Sequence, residues 1–170
     1  MSALDMPDFG PARETVPLRV LVIAPAHVEL SPGRTSQAAD NLLRQLKRRG
    51  LDASLLATAP KDFLASGMRM AAYQHRADEM LVAFPEIDAF SLTSRDAAVR
   101  DRLMADILDH FQPDVVHFQH VSQAGLDACG VVKGRGIPVV LTLQDDIAAL
   151  PAAAGPRGSR GRRGSGWWLR

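Results

Sequence analysis

Two short apolar runs separated by a segment of helical length constrain this chain more than anything else in it. They are Val115–Phe118 (Val-Val-His-Phe) and Val139–Leu143 (Val-Val-Leu-Thr-Leu). Each is too short for a helix, and each follows closely on a proline, Pro113 or Pro138. Both are β-branched or aromatic in character, so both predict strands. Ser122–Arg135, between them, has about the length that a crossover helix needs. Strand, helix, strand in this order is a βαβ unit, and apolar runs of this kind predict parallel strands buried on both faces. Polar residues gather at the carboxyl ends: Gln119, His120 and Ser122 after the first strand, Gln144, Asp145 and Asp146 after the second. In open α/β sheets that edge is where ligands bind.

The amino-terminal half repeats the pattern. Leu18–Ala24 reads as a strand stopped by Pro25, and Pro25–Arg34 as a loop with Pro32-Gly33 as its turn signal. A helix follows, with Thr35 or Ser36 as the expected N-cap. Ala38, Ala39, Leu42, Leu43 and Leu46 make its apolar stripe, and Gly50 is the expected C-terminal stop. Asp52–Thr58 is the next strand. The whole predicts a doubly wound α/β domain with a parallel sheet. The strand at 18–24 is expected at its centre, with 115–118 and 139–143 on the opposite side from 52–58.

Residues 60–92 leave two readings open. Met70, Tyr73, Ala77, Met80, Leu81 and Phe84 fit one face of a helix, whereas Met80–Phe84 fits a short strand after a turn at Arg76–Asp78. Thr93-Ser-Arg-Asp96 has the form of a capping box. It opens a helix with Val99, Leu103, Ile107, Leu108 and Phe111 on the buried face, ending before Pro113.

At 170 residues the chain predicts one domain, over 18–150, after a disordered lead at 1–17. Residues 151–170 are dense in Gly and Arg without a period and read as a disordered tail. The net charge of +1 hides an asymmetry. Of 20 basic residues, five arginines lie after Pro151, where there is no acid; 15 basic residues remain against 19 acidic ones, a net of −4 for the first 150. A mildly acidic body makes no case for nucleic acid, while the basic tail leaves room for peripheral contact with an anionic membrane surface. The one cysteine, Cys129, rules out an internal disulfide and fits a reducing, cytoplasmic compartment. Within a predicted helix it is more often a small buried residue than a nucleophile. The amino-terminal residues do not read as a signal peptide, and no apolar run approaches membrane-spanning length.

Candidate site residues fall at the strand carboxyl ends. The N-terminus of the helix near Gly33, Arg34, Thr35 and Ser36 offers backbone donors to a phosphate or another anion. One glycine is a weak signal, and an ordinary turn with an N-cap explains these residues equally well. His117, inside a strand, is more often a satisfied core residue. His120, just past the strand, can bind hydroxyls or act as acid or base near neutral pH. Gln119 and Gln144 can donate and accept, which suits hydroxyl-rich ligands, and Asp145 or Asp146 can bind hydroxyls or accept a proton. His27 and His75 have no partners at metal-ligand spacing.

Three stretches resemble family 4 glycosyltransferases: Arg19-Val-Leu-Val-Ile-Ala-Pro with the helix ending Leu-Lys-Arg-Arg-Gly-Leu-Asp, then Phe111-Gln-Pro-Asp-Val-Val-His-Phe-Gln-His, then Gly136-Ile-Pro-Val-Val-Leu-Thr-Leu-Gln-Asp. The likeness covers about 18–146. It implies a Rossmann-like domain, the acceptor-side half of a GT-B architecture. The implied reaction is sugar transfer from a nucleotide-sugar donor, with retention and without a metal or other cofactor. The acceptor would be a sugar or a lipid-linked molecule. Under this resemblance His120 is the candidate catalytic residue, and Gly33, Arg34, Thr35, Ser36, Gln119, His120, Gln144 and Asp145 are the candidate substrate-binding set. Three departures stand out. Pro32-Gly33-Arg34 replaces a Gly-Gly pair. Glutamines stand at 119 and 144, where many members have His, which favours hydroxyl binding there over acid–base work. The donor-side domain with its paired glutamates is missing, so the chain reads as a truncated fragment, inactive alone. The competing expectation is a stand-alone α/β binding or regulatory domain.

Overall fold

A computed structural model describes residues 16–142. The expected tail at 151–170 and all but residues 16 and 17 of the expected lead at 1–17 lie outside these residues, as do Leu143, Gln144, Asp145 and Asp146.

The sheet is built around β1 (Arg19–Ala24), which pairs in parallel with β2 (Asp52–Thr58) on one side and with β7 (Val115–Phe118) on the other. Beyond β2 come β4 (Arg76–Val82) and then β3 (Met70–Tyr73); beyond β7 comes β8 (Val139–Leu141). The strand order is thus β3-β4-β2-β1-β7-β8, with the first strand inside, as expected from the sequence. A separate two-stranded hairpin joins β5 (Ile87–Asp88) to β6 (Thr93–Ser94).

Alternation along β1 splits the core in two. Leu21 and Ile23 pack with Leu103, Met104, Ile107 and Leu108 of α2 (Ala97–Phe111) and with Ala128 and Val132 of α3 (Leu126–Gly134). Val20, Val22 and Ala24 pack on the other face with Ala39 and Leu43 of α1 (Arg34–Arg48). The stripe at helical spacing is what buries α1, with Leu42 and Leu46 half-buried at its margin. Gly50 ends the helix at φ +77, where its N–H donates to Lys47 O and that of Leu51 to Leu46 O. Both bonds satisfy carbonyls that the helix end would leave open.

Several expectations are corrected. The N-cap of α1 is Gly33, not Thr35 or Ser36; Ser36 sits at the third helical position and its Oγ accepts from Gly33 N at 2.9 Å. The cap of α2 is Asp96, whose carboxylate accepts from Val99 N at 3.0 Å, while Thr93 and Ser94 are drawn into β6. The crossover helix is shorter than Ser122–Arg135, because Gly125 at φ +86 and ψ 153 cannot be helical.

Residues 70–82 form a hairpin, not a helix, and the strand is longer and earlier than Met80–Phe84. β2 would otherwise leave a bare edge, and pairing Leu55–Thr58 with Glu79–Val82 covers it. Tertiary pairing here overrides the helix propensity of Ala, Met and Glu. The turn falls at Gln74 and His75, both in left-handed backbone at φ +46 and +63, so β3 runs antiparallel to an otherwise parallel sheet. Finally, β7 and β8 are not buried on both faces: Val115 and His117 are half-buried, and Val140 on the edge strand is 45% exposed. With α2 and α3 on one face of the sheet and α1 on the other, the domain is wound on both sides.

Candidate functional site

The carboxyl ends of the strands converge on one edge. From β1 the chain moves to β2 on one side, and later from β7 to β8 on the other, so the order reverses between β1 and β7. Loops leaving two adjacent strands on opposite sides of a sheet open a crevice at that point.

A cleft of about 380 Å³ lies on this edge. The loop after β1 supplies Pro25, Ala26, Leu30 and Ser31; the end of β2 and the segment after it supply Thr58, Ala59, Pro60 and Phe63; the loop after β7 supplies Gln123. Its size suits a small ligand, and its mixture of apolar wall and a few hydroxyl and amide groups is typical of such sites. Among the described residues, none of those expected from the sequence lines this cleft. Gln123, Ser31 and Thr58 are the polar groups that sequence reading missed. Thr58 is the last residue of its strand, so the carboxyl-edge rule applied to β2 would have found it.

The expected residues that are described stand in two groups on the same edge. The first is the start of α1. Ser36 is buried, and its hydroxyl ties the loop together by accepting from Gly33 N and lying 2.9 Å from Ser31 O. A Cβ on Gly33 would meet only Ser36 Oγ, at 3.7 Å, so the space over this backbone is open to an approaching group. Arg34 is exposed and Thr35 half-buried beside it.

The second group ends β7. Gln119 is buried, with its N–H donating to Ile23 O at 2.9 Å. Its side-chain amide lies 3.4 Å from His117 Nε2, which in turn is 2.8 Å from Thr142 Oγ1 across the β7–β8 pair. Burial lowers the pKa of His117 and favours its neutral form. His117 is therefore a satisfied sheet residue, as its position predicted. His120 is half-buried, and its Nδ1 accepts from Ser122 N at 3.0 Å. That bond places the proton of the neutral ring on Nε2. Burial pushes the Cys129 thiol up to about 11, which leaves it a poor nucleophile. Among the described residues no helix is long and apolar enough to cross a membrane.

The model of Glycosyltransferase Family 4 matches residues 35–170. The chain belongs to Glycosyltransferase Family 4. The match takes in Thr35, Ser36, Gln119, His120, Gln144 and Asp145, and leaves β1, its loop and Gly33 and Arg34 outside. It also runs past Asp146, where the likeness read from the motifs ends. No curated protein and no solved structure matches the chain. For a Family 4 glycosyltransferase domain the ligands to be accommodated are, in general terms, a nucleotide sugar and an acceptor. The crevice between β1 and β7 lies at the edge where an α/β sheet binds such molecules.

Proposed function

We propose that this domain is the acceptor-side half of a retaining GT-B glycosyltransferase, acting in the cytoplasm on a sugar or lipid-linked acceptor. The observation that carries the reading is the cleft at the carboxyl ends of β1 and β2, closed by Gln123 from the loop after β7, in a Family 4 chain. In this reading the acceptor lies in the cleft with its hydroxyls near Gln123, Ser31 and Thr58, and His120, at the end of β7, is the candidate catalytic residue. The open backbone at Gly33 and the first turn of α1 faces the donor phosphates. No metal or other cofactor is required. The exposed apolar side chain of Phe63, at 53%, stands where a lipid-linked acceptor or a membrane surface would meet the cleft.

Transfer needs donor and acceptor held in register, and orientation supplies about 7–11 kcal/mol of the barrier in well-placed reactants. One wall of a cleft does not provide that. The 170-residue chain, incubated with a panel of nucleotide sugars and acceptors, is therefore expected to give no transfer above a heat-killed control. Turnover would place the donor site within these residues and refute the half-site reading. Once the chain is paired with a donor-side domain that restores transfer, His120→Ala should lower kcat/KM about tenfold, the effect of one well-placed hydrogen bond of ~1–3 kcal/mol. Unchanged kinetics would remove His120 from the site.

A further inference from the structure

The loop that walls the cleft is held from behind by a charged network spanning distant parts of the chain. His27 is only 1% exposed, and its ring lies tilted against Tyr73 with centroids 4.0 Å apart. Its Nδ1 accepts from Glu29 N at 3.2 Å, so in the neutral ring Nε2 carries the hydrogen, and it donates to Glu79 Oε2 at 2.9 Å. Its own carbonyl accepts from Leu30 N and Ser31 N. Glu29 in turn accepts from the Tyr73 hydroxyl at 3.0 Å and from Arg76 at 3.1 Å, and Arg76 also donates to Glu79 at 3.0 Å. Two loop residues are thus clamped to three residues of the β3–β4 hairpin. The left-handed turn at Gln74 and His75 sets Tyr73 and Arg76 side by side to receive them.

We propose that His27 and Glu79 are positioning residues: they fix the β1–α1 loop in the one geometry that forms the cleft wall at Leu30 and Ser31. This rests on the cleft being the ligand site. The physical argument is that a buried polar group is costly unless every partner is in place, so a satisfied network admits one arrangement where an apolar contact would admit several. Both ring nitrogens and the carbonyl of His27 are engaged, and every bond either shapes the loop or ties it to the hairpin. Ser31 then accepts the Ser36 hydroxyl through its carbonyl, so the geometry set at His27 reaches the start of α1.

The test uses the 170-residue chain with His27→Leu, which fills the space but bonds to nothing, and His27→Gln, whose amide can still donate to Glu79. Amide hydrogen exchange at Glu29, Leu30 and Ser31 is expected to quicken tenfold or more in His27→Leu, with Val22 and Leu43 unchanged. His27→Gln should recover most of the protection. Binding of methyl α-glucoside, a probe of the acceptor cleft, and of inorganic pyrophosphate, a probe of the start of α1, is followed in parallel, and is expected to weaken at least fivefold in His27→Leu only. Unchanged exchange in His27→Leu overturns the proposal, as does a loosened loop with undiminished binding. If His27→Leu fails to fold, Glu79→Leu and Glu79→Gln, which differ in whether His27 keeps an acceptor, decide it by the same readouts. A native chain that binds neither probe counts against the cleft as ligand site, and the exchange result then decides the clamp by itself.

Discussion

Arg100 of α2 and Asp127 of α3 form a largely buried ion pair, with Asp127 partly exposed, between the two helices that cover one face of the sheet. Arg100 is almost fully enclosed, and Asp127 also accepts from Ser94 N at 2.9 Å, so one carboxylate joins α2, α3 and β6. The loop carrying His120 and Gln123 leads directly into this junction. Asp127→Ala leaves the guanidinium with Asp101 alone, whose side chain is 54% exposed. Removing one partner of a buried pair costs about 3 kcal/mol, whereas replacing both by apolar groups is often neutral. Urea unfolding should therefore show a large loss for Asp127→Ala and a smaller one for Arg100→Met combined with Asp127→Leu, which removes both charges but still leaves Ser94 N without its acceptor.

Gly125 controls the same loop. Its backbone, at φ +86 and ψ 153, is a conformation essentially reserved for glycine. A Cβ there would collide with Asp127 Oδ1 and lie 3.3 Å from Leu92 O. Gly125→Ala is expected to cost roughly 2 kcal/mol or more from strain alone, measured as a lower urea midpoint at constant slope. An unchanged midpoint would mean that this turn can adopt another form.

Acid should destabilise the domain in two stages. Burial depresses the pKa of His117 below its ordinary 6.5, so its contribution is complete above 6.5 and is lost as pH falls through the folded value. Glu79 has its pKa raised by burial but lowered further by the bonds from His27 and Arg76, leaving it below 4.5. The Tyr73 hydroxyl, then Arg76, holds Glu29 below the same value. These carboxylates stabilise the fold above about 4.5, and their contribution disappears as pH drops through their folded pKa values. Unfolding free energy measured from pH 8 to 3 should show both declines, and Glu79→Gln should flatten the lower one.

Much of the doubly wound core was legible because its signals are local. Apolar runs bounded by Pro25, Pro113 and Pro138 marked strands, and the Leu42–Leu46 stripe with Gly50 marked α1. The hairpin at 70–82 was not, because Gln74-His75 carries none of the glycine or asparagine that usually announces a left-handed turn. What makes that segment a strand is the bare edge of β2, a partner some twenty residues away. The cleft was legible only as an edge: Gly33, Gln119 and His120 lie on it, yet Gln119 is buried and Ser36 turns inward. The role of His27 in tying the loop to the hairpin was not legible, because its acceptor, Glu79, lies 52 residues along the chain.

On the proposed reading, ligands meet this Family 4 domain at the carboxyl edge between β1, β2 and β7. The most direct measurement is chemical-shift mapping of the isotope-labelled 170-residue chain titrated with a panel of nucleoside diphosphate sugars and simple glycosides. Shifts are expected to concentrate in residues 26–36, 58–63 and 119–123, with Leu21, Asp52 and Ser54 at the opposite edge unmoved. Shifts centred on that opposite edge, or none with any member of the panel, would contradict it.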